Sequence, residues 1–195
     1  MRWERAYDVA LGASAISWAG LGLFRAVDRP FGVRLALAAL NLLVGFLFFA
    51  RKSPLASGGA GAILAAMPSM VLGAIAVRFA DAHWPAAAQV VFGLGAALAC
   101  VSLATLGRSF AFLPSRRALV VRGPYRWIRH PAYVSELLML VGCAWAAPLP
   151  GAPLAVLVAV TLTWRIRAEE QLLAADPAWQ AYASRVRWRL LPFLY

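Results

Sequence analysis

The polar stretch of residues 122–133, RGPYRWIRHPAY, holds most of the side chains that could bind a charged ligand. A proline disfavours helix at the residue before it and is favoured as the first residue of a helix. The pair His130-Pro131 therefore predicts a helix that begins at Pro131. Its first backbone N–H groups and the positive end of its dipole would lie beside Arg129 and His130. Together these groups would bind an anion such as a carboxylate.

Two adjacent acids, Glu169 and Glu170, supply the opposite charge. We predict that they lie on a helix that continues an apolar run, with Arg165 one turn before Glu169. A site with cationic and anionic walls suits a zwitterionic or mixed-charge ligand. Glu136 is a further candidate, because a carboxylate near the start of an apolar helix is costly and often functional.

The composition indicates that these residues belong to an integral membrane protein. Of the 195 residues, 63% are hydrophobic and 14% are charged, whereas soluble domains have about 25% charged residues. This excludes a soluble globular domain, and we expect one membrane domain over residues 1–195. The formal charge of +11 is explained by cytoplasmic loops and anionic lipid head groups rather than by nucleic acid. Cys100 and Cys143 lie in apolar runs without the spacing of a metal site, so no metal is expected.

Four apolar runs predict four membrane helices, because in lipid a helix satisfies its backbone hydrogen bonds within one segment. The predicted fold class is therefore all-α, a polytopic helical membrane protein. The four runs are residues 7–24, 35–50, 59–77 and 86–106. Their connections are short, so successive helices are expected to be antiparallel neighbours. They would form a scaffold over residues 1–106, while residues 107–195 would form the binding loop, a helical hairpin and a tail.

A second apolar region, residues 133–164, is interrupted by three prolines and a glycine within residues 148–153. Such a cluster breaks a helix, so we predict a hairpin. Its two apolar limbs have about 15 and about 12 residues, or about 22 and about 18 Å of helix. Both limbs are short for a hydrocarbon layer of about 30 Å.

The tail begins with Asp176-Pro177, which predicts an N-cap followed by the first residue of a short helix. Four apolar residues would share one face of this helix, with the arginines elsewhere. They are Trp179, Tyr182, Val186 and Leu190. We expect an amphipathic helix that lies on the cytoplasmic leaflet.

The arginines predict the orientation in the membrane. With the N-terminus inside, 15 of the 19 lysine and arginine residues face the cytoplasm, in agreement with the positive-inside rule. Residues 122–133 and the tail would then face each other on the cytoplasmic side. Arg116 and Arg117 are expected to contribute only to this signal, and His83 would lie in a loop on the other side. The excess of arginine and alanine is typical of a GC-rich prokaryotic source, and so of an inner membrane.

Three motifs, in this order, resemble a known family. They are Gly123-Pro124-Tyr125-Arg126 with Arg129-His130-Pro131-Ala132-Tyr133, then Glu169-Glu170, then the tail with Trp179, Tyr182, Val186 and Pro192. They closely resemble the isoprenylcysteine carboxyl methyltransferases and phospholipid methyltransferases, over roughly residues 106–192. The resemblance implies a methyltransferase that uses S-adenosyl-L-methionine. It also implies that the loop and tail enclose this cofactor at the cytoplasmic face, and that a lipid-like acceptor arrives from the bilayer.

The sequence departs from the pattern of this family at two places. Ser135 stands where a glycine is common, and Asp176-Pro177 stands where Phe-Gly is usual, with Trp179 in place of a tyrosine. Neither change removes a charge, so both bear on the acceptor more than on the cofactor.

The resemblance implies a cofactor site drawn from the loop and the paired acids. The Pro131 helix start with Arg129 and His130 would take the carboxylate of the cofactor, Glu169 or Glu170 its ammonium or ribose, and Tyr125, Tyr133 or Trp127 its adenine or sulfonium. The expected cofactor-binding residues are Gly123, Tyr125, Arg129, His130, Pro131, Tyr133, Glu136, Glu169 and Glu170. The expected catalytic residues are Arg129 and Glu170.

Three acceptors remain open: a prenylated thioether carboxylate, a phospholipid amine and another small lipid. A carboxylate needs no general base and an arginine could align it, whereas an amine must be neutral and a glutamate could take its proton. We favour carboxyl O-methylation over N-methylation. Membrane lipids are the expected surroundings, and no obligate protein partner is inferred.

Two other functions are weighed against methyl transfer. Membrane sterol reductases, which use NADPH, carry a related Arg-His pattern in their tail, but the Gly123-Pro124-Tyr125 lead-in fits the methyltransferases better. A non-enzymatic transporter or scaffold would require ionisable residues within several spans, and the second to fourth apolar runs contain no acidic or basic residue.

Overall fold

The computed structural model describes residues 2–25, 29–80 and 84–192. Within these residues it confirms the predicted all-α polytopic fold, with seven α-helices. They are α1 (Arg2–Arg25), α2 (Phe31–Ala50), α3 (Ala60–Phe79), α4 (Ala86–Leu106), α5 (Pro131–Ala146), α6 (Pro148–Leu173) and α7 (Pro177–Arg185). Two short strands, β1 (Ala56–Ser57) and β2 (Ser115–Arg116), form an antiparallel pair. His83, for which a loop is predicted, lies outside the described residues.

The four predicted membrane helices correspond to α1–α4, with ends that differ by a few residues. By length and composition, five helices in the described part of the chain could cross a membrane. Their apolar segments are Arg5–Phe24, Phe31–Ala50, Ala60–Arg78, Ala86–Ser109 and Gly151–Leu173. The chain is therefore an integral membrane protein.

The helical hairpin of α5 and α6 is present, but its second limb is longer than predicted. Helical geometry fails at Leu149, where φ is −121° and ψ is 107°, and it resumes before Pro153. A proline loses no hydrogen bond in the first turn of a helix, since the N–H groups there have no partner within the helix. The apolar segment Gly151–Leu173 therefore has 23 residues. The predicted limb of about 12 apolar residues is therefore too short, and by length and composition this segment could cross a membrane, whereas α5 has only 16 residues.

The order of the helices in space differs from their order in the chain. α2 packs against α1 and α4, whereas α3 packs against α6 and α5. The prediction that successive helices are neighbours therefore holds for α1 and α2, but it is wrong for α2 and α3 and for α3 and α4. Glycines allow the close α4–α5 contact: a Cβ on Gly95 would lie 2.8 Å from the backbone nitrogen of Met139, and one on Gly142 would lie 2.9 Å from Phe92 Cβ. This contact fixes the start of α5, and with it the predicted site, at one end of the bundle.

The connection between α2 and α3 packs over that same end of the bundle. It pairs with the segment that follows α4, through backbone hydrogen bonds on either side of β1 and β2. The N–H groups of Lys52, Leu55 and Gly58 donate to the carbonyls of Arg108 (3.0 Å), Arg116 (2.8 Å) and Pro114 (2.9 Å), respectively. This pairing is not indicated by any motif in the sequence.

The tail helix α7 begins as predicted, with the Asp176 side chain accepting a hydrogen bond from the second residue after it at 2.9 Å. The helix is shorter than the predicted stripe, because Val186 and Leu190 follow its end. Trp179 and Tyr182 are 7% and 2% exposed, so they face the protein rather than the lipid. The prediction that this stripe rests on the membrane surface is therefore wrong.

Candidate active site

The loop of residues 122–133 and the tail after α7 pair through their backbones. The N–H group of Arg129 donates to the carbonyl of Trp188 at 2.9 Å, and that of His130 donates to the carbonyl of Arg189 at 2.9 Å. The loop and the tail therefore meet directly at the start of α5. This pairing brings together motifs that are far apart in the sequence.

The Arg129 side chain fastens the loop to two other elements. Its Nε donates to the carbonyl of Val186 and its Nη2 to that of Ala183, both at 2.7 Å. Its Nη1 lies 3.1 Å from Oε1 of Glu170. A guanidinium offers five N–H donors in a rigid fork, so one side chain can satisfy three partners. All three nitrogens are thus engaged by the protein itself.

Glu170 is the common partner of three basic side chains. Its carboxylate lies 3.1 Å from Arg129, 3.2 Å from Nε2 of His130 and 2.8 Å from Nε of Arg189. The Glu170 side chain is only 12% exposed. His130 occupies the N-cap position of α5 without capping it, because its ring faces Glu170. Arg129 and His130, predicted on the cationic side of the site, therefore contact Glu170, predicted on its anionic side.

A buried tyrosine forms a second tie between tail and loop. The hydroxyl of Tyr182 donates to the carbonyl of Tyr125 at 2.7 Å. Burial raises the pKa of Tyr182 to about 12, which keeps this hydroxyl protonated as a donor. Burial also raises the pKa of Tyr125. Both phenols are therefore neutral at physiological pH.

Gly123 shapes the loop where Tyr125 is held. It begins the 3-10 turn Gly123–Arg126 with a φ of 56°, in the left-handed region that favours glycine. A Cβ at this position would also lie 3.0 Å from Oγ1 of Thr105. Gly123 is therefore required for the conformation of the loop.

A cavity of about 430 Å³ lies between the loop, the tail and the ends of the helices, within the range of about 300–1,000 Å³ for small-molecule sites. One end of it is polar. The charged residues that line the cavity are Arg117, Arg129, His130, Glu136, Arg165 and Glu169. The other end is apolar, and its lining includes Leu40 and Val44 of α2, Leu103 of α4 and Met139 of α5. The lining of the cavity thus combines a group of charged side chains with apolar side chains from α2, α4 and α5.

Arg165 of α6 is a charged cavity residue that the sequence analysis does not assign to the site. It is 8% exposed, and its guanidinium carbon lies 4.8 Å from the centre of the Tyr133 ring. It donates to the carbonyl of Phe112 at 3.1 Å and lies 3.7 Å from Glu169 and 4.0 Å from Glu136. The spacing indicates only the helical pair with Glu169. The sequence feature that could have identified Arg165 is its position at the end of an apolar run, where a charged residue is costly and often functional.

Most of the predicted cofactor-binding residues line the cavity. These are Tyr125, Arg129, His130, Tyr133, Glu136 and Glu169. The ring of Tyr133 stacks on that of His130 at 5.5 Å, and its hydroxyl donates to the carboxylate of Glu169. The polar end is therefore built by α5, α6 and the loop together.

The other predicted residues lie beside the cavity rather than in its wall. Gly123 shapes the loop, Pro131 is the buried first residue of α5, and Glu170 faces Arg129. Trp127, considered for the adenine or the sulfonium, is 70% exposed and is not part of the wall. Arg117, expected to serve only topology, lines the cavity and donates to the carbonyl of Lys52.

Residues 83–176 match the model of the phospholipid methyltransferase family, over just under half of the chain. Over this segment, the chain is similar to that family of membrane methyltransferases. The chain is also similar to the Delta(14)-sterol reductase of Mus musculus, with 34% identity over 86 residues. The similarity covers 40% of this chain and 20% of the mouse protein, so the chain spans about a fifth of the length of this curated relative.

The phospholipid methyltransferase segment contains the loop, the hairpin and both acids of the site, and it ends just before α7. Tyr182 and Arg189, which complete the ties to the loop, lie beyond it. Leu40 and Val44, which line the apolar end, lie before it. The family supports a methyltransferase activity in a membrane protein, and the residues that line the cavity lie between Leu40 and Tyr182.

Proposed function

We propose that this relative of the phospholipid methyltransferase family transfers a methyl group from S-adenosyl-L-methionine to an amphiphilic acceptor at the cytoplasmic face of the membrane. The family generally uses this methyl donor. The observation that carries the proposal is the two-ended cavity, with charges of both signs at one end and apolar side chains at the other. Such a cavity suits one zwitterionic and one lipid-like molecule.

The residues at the polar end fit a zwitterionic cofactor. Nε of Arg165 is buried, and no described residue accepts a hydrogen bond from it. Because an unpaired buried donor is costly, this nitrogen is suited to an anionic group of a ligand. Arg165 and His130 would hold the cofactor carboxylate and Glu169 its ammonium, while the rings of Tyr125 and Tyr133 would contact adenine or sulfonium.

The protein contributes to this reaction mainly by positioning the reactants and by excluding water from them. When bound, S-adenosyl-L-methionine supplies an electrophilic methyl group on a sulfonium. In-line displacement from such a leaving group is accelerated by holding the reactants in the correct geometry. Arg129 and Glu170 have their charges engaged with each other, so we assign them as positioning residues that close the tail over the cavity.

The proposed acceptors are a prenylcysteine-type carboxylate and a lipid amine, with the acyl or prenyl chain in the apolar end. The sequence motifs favour the carboxylate, which is already a nucleophile and needs no general base. The positive-inside rule places the loop and tail on the cytoplasmic side, and the composition fits a prokaryotic inner membrane.

A second candidate is an NADPH-dependent reductase, favoured by the similarity to the mouse Delta(14)-sterol reductase. A nicotinamide cofactor carries a pyrophosphate, whose negative charges require cations or free backbone N–H groups. In the polar end, however, Glu136 and Glu169 share the single guanidinium of Arg165. Methyl transfer therefore ranks first.

Both candidates are tested on the purified protein in lipid nanodiscs. In one arm it is given S-adenosyl-L-methionine labelled in the methyl group and a total membrane lipid extract. In the other it is given NADPH and a sterol with a Δ14 double bond. We expect label in the organic phase and no sterol reduction. Sterol reduction without label transfer would overturn the proposal in favour of the reductase.

A further inference from the structure

A second pocket lies beside the cavity, at the end of α4. Its volume is about 440 Å³, and the charged residues that line this arginine pocket are Arg108 and Arg122. Its apolar lining residues are Leu106, Leu119, Val120 and Val121. The apolar segment Ala86–Ser109, which could cross a membrane, ends at this pocket. The two guanidiniums therefore lie near the level where lipid head groups meet the hydrocarbon layer.

Two glycine turns bring these arginines to the same pocket. Gly107, with a φ of 51°, precedes Arg108, and Gly123, with a φ of 56°, follows Arg122. Both angles lie in the left-handed region, which glycine adopts without the steric cost that a Cβ imposes. Between the two turns, the chain runs out to β2 and returns. The backbone of residues 107–123 thus places both arginines at one end of α4.

The positive charge of the arginine pocket is not neutralised by the protein. Within residues 2–25, 29–80 and 84–192, neither Arg108 nor Arg122 has a hydrogen-bond or ion-pair partner for its guanidinium, and none of the residues that line the pocket is acidic. The end of α4 contributes about half of one negative charge through the helix dipole. Each guanidinium carries a full positive charge at physiological pH. The pocket therefore attracts an anion.

The lining of the pocket indicates which kind of anion fits. The cavity carries charges of both signs, whereas the arginine pocket combines cations with apolar side chains. A zwitterionic head group would bring a cation that meets no carboxylate there. An anionic head group brings none, and its glycerol and first methylenes can cover apolar surface such as Val121, which is 45% exposed. These features match an anionic phospholipid.

We propose that the arginine pocket binds the phosphate of an anionic phospholipid, with the glycerol and the start of the acyl chains on Leu119 and Val121. This lipid is a resident of the surrounding membrane and is neither the cofactor nor the acceptor. Neither arginine lines the cavity, so the proposal does not depend on methyl transfer. The positive-inside rule assigns this end of α4 to the cytoplasmic leaflet, which is rich in anionic lipids.

The bound lipid supports one wall of the cavity. Four residues line both the pocket and the cavity, so they lie between the two: Leu106, Ser109, Leu119 and Val120. In the part of the chain that the structure describes, no N–H group of residues 117–121 donates a backbone hydrogen bond. A segment without such bonds opens easily. A lipid on its outer side shields these amides and restrains the wall.

Lipid binding in the absence of any methyl donor tests the site. The protein in a neutral detergent is titrated with phosphatidylglycerol or phosphatidylcholine, and native mass spectrometry gives the Kd of the first lipid bound. Arg108→Gln and Arg122→Gln each remove one charge, and Arg122→Lys keeps it. Arg126→Gln is the matched control, because Arg126 is exposed on the same loop, lies over the Trp127 ring and does not line the pocket.

We expect wild type to bind phosphatidylglycerol more tightly than phosphatidylcholine. Arg108→Gln and Arg122→Gln should each bind phosphatidylglycerol about fivefold more weakly, as expected for the loss of one basic residue near an anionic head group. Their binding of phosphatidylcholine should be unchanged, which shows that the variants are folded. Arg122→Lys and Arg126→Gln should bind both lipids as wild type does.

Hydrogen–deuterium exchange tests the effect on the wall. In phosphatidylcholine nanodiscs, adding phosphatidylglycerol should slow the exchange of residues 117–121 in wild type and in Arg126→Gln. It should have no such effect in Arg108→Gln or Arg122→Gln. Inorganic phosphate added to phosphatidylcholine nanodiscs should leave the exchange unchanged, because it lacks the glycerol and acyl chains that cover the apolar lining.

Three results would overturn the proposal. Equal affinity of wild type for the two lipids would show that the pocket does not select an anionic head group. An equal loss in Arg126→Gln would show that the attraction comes from the basic surface as a whole. Slower exchange with inorganic phosphate alone would make a soluble anion the ligand. None of these results depends on whether the protein binds S-adenosyl-L-methionine, so the lipid site and the methyl transfer fail or stand separately.

Discussion

Arg129 and Glu170 are 41 residues apart in the sequence, and Nη1 of the first lies 3.1 Å from Oε1 of the second. The same guanidinium donates to the carbonyls of Ala183 and Val186 at the end of α7. One arginine therefore joins the loop, the end of α6 and the tail. Closure of the cavity therefore depends on the geometry of this junction.

Arg129→Lys should release the tail although it keeps the charge. A lysine ammonium has no fork and cannot reach three acceptors in different directions, so at least one buried carbonyl loses its donor at a cost of about 1–3 kcal/mol. We expect faster hydrogen–deuterium exchange of residues 177–190 and weaker binding of S-adenosylhomocysteine. Arg185→Lys is the matched control, because Arg185 is exposed and its Nε contacts only Ala181 of its own helix. Equal exchange in both variants would contradict the role of Arg129.

Glu170→Ala should destabilise the protein more than any exposed change on α6. Removing one partner of a buried ion pair costs about 3–5 kcal/mol, and the exposure of Arg189, at 37%, favours the lower end of that range. Arg129 and His130 would lose their shared carboxylate partner, which weakens the contact between the loop and α6. We expect a lower unfolding temperature and loss of S-adenosylhomocysteine binding. Gln171→Ala is the control, because Gln171 is the exposed neighbour of Glu170. This variant should leave the unfolding temperature and the binding of S-adenosylhomocysteine unchanged.

Local chemistry accounts for what could be predicted from the sequence. Pro131 fixes the start of α5 through its own backbone restriction, and Asp176 caps α7 through its own side chain. The apolar runs identify the spans because each must satisfy its backbone within lipid. The predicted second limb of the hairpin is too short because Pro153 was expected to end a helix. A proline in the first turn does not end a helix.

Relationships between elements could not be predicted in the same way. Nothing local indicates that α3 packs on α6 rather than on α2, because several apolar faces are equally suited to one another. The partner of Arg165 across the cavity, Glu136, lies on another helix, and sequence spacing identifies only partners on the same helix. The pairing of Arg129 with Glu170 likewise depends on the tertiary fold.

Tyr182→Phe should weaken the attachment of the tail to the loop without changing any charge. It leaves the carbonyl of Tyr125 buried without the hydroxyl that donates to it at 2.7 Å, at a cost of about 1–3 kcal/mol. We expect a lower unfolding temperature and partial loss of S-adenosylhomocysteine binding. A variant that is as stable as wild type and binds as tightly would show that this hydrogen bond does not hold the tail.

The stability of the wild-type protein should fall at alkaline pH through the same side chain. Burial raises the pKa of Tyr182 to about 12, above the value of about 10 for an unfolded tyrosine. A raised pKa of this kind contributes stability that is fully present below about pH 10 and is lost as the pH rises through about 12. Tyr182→Phe should lose less stability than wild type over this interval. Parallel declines in unfolding temperature for the two proteins would contradict the assignment.

Leu40→Trp should shorten the acceptor chain that the enzyme accepts. Leu40 lines the apolar end of the cavity, and an indole there would displace about two methylenes of a bound chain, each worth about 0.8 kcal/mol. We expect kcat/KM for a long-chain acceptor to fall about tenfold, with S-adenosylhomocysteine binding unchanged. Leu42→Trp on the same helix is the control, because Leu42 is 50% exposed on the outer surface. Similar kinetics in both variants would exclude this end of the cavity as the chain site.

Calorimetry of cofactor binding to the wild-type protein tests the methyltransferase assignment most directly. S-adenosyl-L-methionine, S-adenosylhomocysteine and NADPH are titrated separately into the protein in nanodiscs, without an acceptor. We expect the first two to bind in the micromolar range and NADPH not to bind. Binding of NADPH alone, or of none of the three, would contradict the assignment of the polar end of the cavity to S-adenosyl-L-methionine.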